Sequence, residues 1–142
     1  MTGYVATAET DIDATAEQVW TVLTDLEQIG ELWFGAEVHT DWQVGSPIVW
    51  KGEYEGKQYE DKGRILAAEP GRLLKMTHYS PLTGQPDVPE NYHTLTYELA
   101  EHGTTTRLTL SQDNNASEDE AEHARGMWET QVGGIKKAAE RG

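Results

Sequence analysis

Between about residue 37 and residue 112 the chain runs as short strand-like segments whose connections are too brief for a parallel crossover, which favours antiparallel hairpins. "EVHTDWQ" stops at Val44-Gly45-Ser46-Pro47, "IVWKGEY" turns at Glu55-Gly56-Lys57, and "QYEDKGRILAA" stops at Glu69-Pro70-Gly71. "RLLKMTHY" follows, then the loop "SPLTGQPDVPEN" from Ser80 to Asn91 with three prolines, then "YHTLTYELA" and "TTRLTLSQ" joined at Glu101-His102-Gly103. A sheet made this way has an apolar face that must be covered.

The two ends of the chain supply one more strand and the cover. "YVATAETDID" alternates, with Tyr4, Ala6, Ala8 and Ile12 expected on one face. Thr15 and Gln18 then fit a capping box, and Val19, Leu23 and Leu26 recur at helical spacing. A short second helix, "EQIGELWF", is expected to end at Trp33 and Phe34. Ser117 and Glu120 form a second capping box ahead of a long closing helix, with acids in its first turns and Lys136, Lys137 and Arg141 in its last. Ala121, Ala124, Trp128, Val132, Ile135 and Ala139 form its apolar stripe. Gly126, Gly133 and Gly134 each weaken that helix by roughly 1 kcal/mol relative to alanine. Two gains would offset this: closer approach to the sheet that the helix covers, or relief of crowding against the first helices. The reading is a single α+β domain over residues 1–142, in the order strand, two helices, six strands, long helix.

Composition narrows the function classes. With no cysteine there is neither a disulfide nor thiol chemistry, which suits a reducing cytoplasm. The start of the chain has no basic segment followed by an apolar run, and no stretch approaches the ~20 apolar residues of a membrane span, so a cytoplasmic protein without a membrane partner is expected. Eleven basic against twenty-five acidic side chains give a net charge of −14, which repels phosphate backbones and argues against nucleic acid.

The order of elements, with "IDATAEQVWTVLTD", "GRILAAEPGRLLKMTHYS", "YHTLTYELAEHGTTTRLTLSQ" and "GMWETQVGGIKKAAE" in succession, resembles the START/SRPBCC superfamily, also called the birch-pollen-allergen-like or helix-grip fold. Within it the chain looks like the group named for homology to the activator of heat-shock protein 90 ATPase. The most specific pieces are the capped first helix with Val19 and Trp20, the turn at Glu69 and Pro70, and Gly126-Met127-Trp128. None is a catalytic signature. The resemblance implies a curved antiparallel sheet of about seven strands wrapped around the C-terminal helix. Between them it implies a cavity that in many relatives holds a lipid, sterol, polyketide or other apolar molecule.

Residues two apart on a strand share a face, so the inward sets are Leu74, Met76 and His78; His93, Leu95, Tyr97 and Leu99; Thr106, Leu108, Leu110 and Gln112; Ile48, Trp50, Gly52 and Tyr54; and Tyr59, Asp61, Gly63 and Ile65. Polar members of these sets, Asp61, His78, His93 and Tyr97, need partners, water or ligand if buried. Trp33, Trp50, Tyr59, Met76, Met127 and Trp128 are the candidate aromatic and thioether walls. Those ten residues are the candidate ligand-binding set.

His39, His78, His93, His102 and His123 include no close pair at zinc-ligand spacing, and HExxH, GxSxG, phosphate-loop and dinucleotide motifs are all missing. The expected function is therefore binding of a small hydrophobic or amphipathic molecule without cofactor, metal or defined catalysis, entered by the Ser80 to Asn91 loop and the end of the closing helix. One alternative is a cyclase- or aromatase-like acid-base enzyme using His78, His93 or Asp61, with Tyr97 holding the substrate oxygen. The other is a protein-interaction role like that of a chaperone-ATPase activator.

Overall fold

In a computed structural model, which describes residues 3–33, 35–81 and 84–141, seven strands form one antiparallel sheet in the order β1-β7-β6-β5-β4-β3-β2. The strands are β1 (Tyr4–Ile12), β2 (Glu37–His39), β3 (Pro47–Tyr54), β4 (Lys57–Glu69), β5 (Leu73–His78), β6 (His93–His102) and β7 (Thr105–Asn115). Two short helices, α1 (Ala16–Thr24) and α2 (Leu26–Leu32), follow β1, and α3 (Glu118–Arg141) closes the chain. The sheet curves around α3, the α+β helix-grip arrangement. No described helix is long and apolar enough to cross a membrane.

Local chemistry sets the boundaries. Thr15 and Gln18 exchange the two bonds of a capping box at α1. Asp25 ends α1 and caps α2, its Oδ1 accepting from the N–H groups of Glu27 and Gln28 at 3.1 Å. Leu26 therefore starts a new helix instead of extending the first stripe, and it is exposed. Phe34, expected at the end of α2, lies outside the described residues, as do Leu82 and Thr83 of the loop and the side chain of Tyr54. The strand expected to run to Gln43 stops at His39. Thr40 and Asp41 side chains accept the backbone N–H of Trp42 and Gln43 instead, a local bond that competes with the ladder. Glu55 and Gly56 both have positive φ, 51° and 79°, the type I′ geometry of a two-residue hairpin.

The expected inward sets form the core. Ala6, Ala8, Ile12, Ile48, Trp50, Ile65, Leu74, Met76, Leu95, Tyr97, Leu108 and Leu110 are buried, and so is the whole α3 stripe. Tyr4 is the departure. The register with β7 slips between Tyr4 and Ala6, and Tyr4 is left 48% exposed. At Ser117 the side chain accepts the Glu120 N–H, but the Glu120 carboxylate reaches back to the N–H of Ala116, one residue earlier than a capping box requires.

The helix glycines divide. A Cβ on Gly134 would stand 2.5 Å from Leu32 Cδ2, so this glycine admits α2 against α3, while one on Gly126 or Gly133 would meet nothing. Gly63 is tighter: its Cβ would fall 1.7 Å from the Thr77 carbonyl oxygen, where β4 crosses β5. Two substitutions separate these cases in thermal melts. Gly126→Ala stabilises by roughly 0.5–1 kcal/mol, whereas Gly63→Ala destabilises by about 3 kcal/mol or more, at the upper end for overpacking.

Candidate functional site

A cavity of about 570 Å³ opens between the first half of α3 and strands β4, β5, β6 and β7. Tyr59 and Asp61 come from β4, His78 from the end of β5, His93 from the start of β6, and Gln112 and Asn115 from the end of β7. α3 supplies Met127 and Trp128, and Trp33 closes the side next to α2. The alternation of the strands places these side chains. Asp61 and His78 are inward positions on strands joined by the Lys62–Tyr79 bridge, and His78 and His93 are direct register partners.

At the base of the cavity His78 donates Nε2–H to Asp61 Oδ2 at 2.9 Å. Asp61 is only 6% exposed, and its other oxygen, Oδ1, is buried with no hydrogen-bond partner. His78 sits among indoles, with ring centroids 4.8 Å from Trp50 and 5.7 Å from Trp33. Trp33 in turn contacts Trp50 at 5.1 Å and Trp128 at 5.2 Å. Tyr59 folds over Gly52, where a Cβ would meet its hydroxyl oxygen at 2.5 Å. Burial first, and the Asp61 charge second, raise the Tyr59 pKa, so its hydroxyl keeps its proton.

Gln112, Asn115, Trp128 and His93 are bonded to other protein groups. Trp128 Nε1–H donates to Gln112 Oε1 at 2.9 Å, the Gln112 amide donates to Asn115 Oδ1 at 2.9 Å, and Asn115 donates to the Tyr4 carbonyl at 2.9 Å. His93 donates Nδ1–H to the Asp113 carbonyl at 2.8 Å. Among the described residues no three of His, Asp and Glu converge as metal ligands would.

Of the ten candidate residues, Trp33, Tyr59, Asp61, His78, His93, Met127 and Trp128 stand at this cavity. Trp50, Met76 and Tyr97 do not. They surround a separate core void of about 10 Å³ behind Trp33, too small for anything beyond a water. Tyr97 in particular is 2% exposed and gives its hydroxyl to Gln131, and burial drives its pKa far up. It therefore holds no oxygen in the cavity. Sequence reasoning passed over Gln112 and Asn115 as site residues, although Gln112 closed an inward set whose middle, Leu108 and Leu110, is apolar. It also missed Gln131, 1% exposed, which lies beside the apolar stripe of α3.

The loop at the rim is tied down. Ser80 and Asn91 line the cavity, while Lys62 pairs with Asp87 and Tyr92 donates to the same carboxylate at 2.6 Å. Tyr79 and Tyr92 stack at 5.3 Å, and Asn114, in the left-handed region at φ 57°, donates to the Glu90 and Tyr92 carbonyls.

The comparisons with known proteins agree on the fold. The family model described as activator of Hsp90 ATPase homolog 1-like protein matches residues 13–140. The solution structure of ChR145 from Cytophaga hutchinsonii is 45% identical, with a TM-score of 0.86 over 99% of this chain and 97% of that one. CalU16 from Micromonospora echinospora is 24% identical, with a TM-score of 0.71 over 95% of this chain and 75% of that one. The Aha1 dimer from Colwellia psychrerythraea is 18% identical, with a TM-score of 0.74 over 96% of each chain. No curated protein matches this sequence.

The rim contacts carry a pH signature. Hydrogen bonds from Lys62 first, then Tyr92, lower the Asp87 pKa, and the Asp87 bond raises that of Lys62. The depressed carboxyl stabilises the fold above its unfolded pKa and loses that contribution as pH falls. The raised ammonium does so below its unfolded pKa and loses it as pH rises. Amide exchange of the Ser80 to Asn91 segment, corrected for intrinsic rate, is therefore expected to be slowest between about pH 4 and pH 10. Lys62→Gln should flatten that profile.

Proposed function

The chain belongs to the activator of Hsp90 ATPase homolog 1-like family, and we propose that it acts as one domain, in the cytoplasm, binding a small hydrophobic or amphipathic molecule beneath α3. The observation that supports this most is the cavity itself. Its volume of about 570 Å³ lies within the range of small-molecule sites, and Trp33, Tyr59, Met127 and Trp128 wall it around a few polar groups. The reading needs no cofactor, and the net charge of −14 disfavours nucleic acid as a partner.

One observation favours a second reading, acid-base catalysis. In the Asp61–His78 pair the carboxylate holds the imidazole with Nε2 protonated, which leaves Nδ1 as the basic nitrogen. The probe 5-nitrobenzisoxazole tests it. A base removes the proton from C3, the N–O bond breaks, and 2-cyano-4-nitrophenolate leaves, the proton passing from the base to water. Turnover above that of free imidazole, lost in His78→Gln with the fold intact, would establish the base; its absence leaves the binding reading alone.

Native mass spectrometry of protein purified from its own host, against the denatured mass, tests the binding function directly. A retained small molecule is expected, and apo protein recovered with a chaperone would move the assignment to protein interaction. Trp128→Ala should lower stability by roughly 3–5 kcal/mol and weaken ligand retention, because it empties the cavity wall and strips Gln112 Oε1 of its donor. An unchanged melting temperature would show that Trp128 is not a central packing residue.

A further inference from the structure

We infer that the molecule held beneath α3 carries a primary ammonium group on an apolar tail, with the ammonium seated at Asp61; this rests on the binding function proposed above.

The cavity offers acceptors and few donors. Asp61 Oδ1 is buried and unpartnered, although Oδ2 is engaged by His78. A carboxylate oxygen out of reach of any donor is costly, and a bound N–H removes that cost. His78 and His93 each spend one ring N–H on a protein acceptor, the Asp61 carboxylate and the Asp113 carbonyl, and their second nitrogens, when neutral, are lone pairs. These two residues are cross-strand partners and Asp61 is bonded to one of them, so the three acceptors belong to one neighbourhood. An ammonium has three donors and no acceptor. Much of what an anion would need is already used: the Trp128 indole, the Asn115 amide and one Gln112 amide N–H bond within the protein, while the Tyr59 hydroxyl and the exposed His123 ring also line the cavity.

The charge of the wall points the same way. Glu53, Asp61 and Glu120 line the cavity and, among the described residues, no lysine or arginine does. With His78 neutral, the Asp61–His78 pair carries one negative charge, which one ammonium balances. The indoles of Trp33 and Trp128, both lining the cavity, suit a cation with an apolar tail. A fatty carboxylate, the same tail with the opposite head, meets three carboxylates and, among the described residues, no lysine or arginine, against the imidazoles of His78, His93 and His123.

Calorimetric titration of the full chain with decylamine, decanol and decanoate, each below its micelle concentration, compares heads on one tail. Decylamine should bind at least about tenfold more tightly than decanol, and decanoate most weakly. Asp61→Asn should abolish the preference for decylamine while keeping decanol. Glu98→Gln, which removes one exposed charge outside the cavity, should leave it intact. If Asp61→Asn does not fold, decyltrimethylammonium on the unaltered protein decides, since N-methylation keeps the charge and removes every N–H. Binding as tight as decylamine's would overturn recognition through those donors. Decanol or decanoate equalling decylamine would overturn the ammonium assignment and leave the cavity function standing. Failure of all three probes to bind would overturn the cavity function itself.

Discussion

Everything in this molecule depends on the contact between one helical stripe and one concave sheet. α3 lies on the β1 and β7 side, where Ala121, Ala124, Val132, Ile135 and Ala139 bring it close, and α1 and α2 fill the space beside it. The small side chains allow the proximity, and the large one, Trp128, stands mid-stripe at the cavity wall. Towards β4 and β5 the helix stands away from the sheet, and the gap is the cavity; on β6 Tyr97 still reaches the helix through its bond to Gln131. Cover and vacancy are two ends of the same packing arrangement.

The interior polar groups sort by whether folding alone satisfies them. Trp128 with Gln112 and Asn115 form a chain made by the protein for itself, and Tyr97 gives its hydroxyl to Gln131 Oε1, while Gln131 Nε2 stays buried without a partner. Such networks fix the helix on the sheet because breaking one member strands another. Asp61 is half engaged in the same way, and it differs from Gln131 in place and charge: it is a carboxylate on a residue that lines the cavity.

The fold was legible because its determinants are local or periodic: capping residues at Thr15 and Ser117, alternation in six hairpin strands, and a helical stripe of six residues. Asp25 escaped notice as a helix break because a single side chain serves two termini there. Depth along the strand decided which inward residues reach the cavity. Alternation gives the face but not the distance from α3, so Met76 and Tyr97, two and four residues into their strands from His78 and His93, fell into the core void. The pairing of His78 with Asp61 joins positions 17 apart and depends on the β4–β5 register, which shifts between Ile65 and Ala67. No sequence period encodes that shift. Gln131 hid in the same way, since a glutamine beside a helical stripe reads as solvent-facing until Tyr97 is found to point at it.

Trp33 is the wall between the two cavities, and it lies nearly parallel to Trp50, 22° from coplanar at 5.1 Å. Two indoles at that separation share their electronic excitations, so the pair is a chiral chromophore and not two independent ones. Its optical activity depends on the angle between the rings, set by how Trp33 at the end of α2 sits against Trp50 of β3, with Trp128 of α3 a third indole at 5.2 Å from Trp33. The partition that separates core from cavity is thereby an intrinsic gauge of how the first helices sit on the sheet, written in circular dichroism without any label.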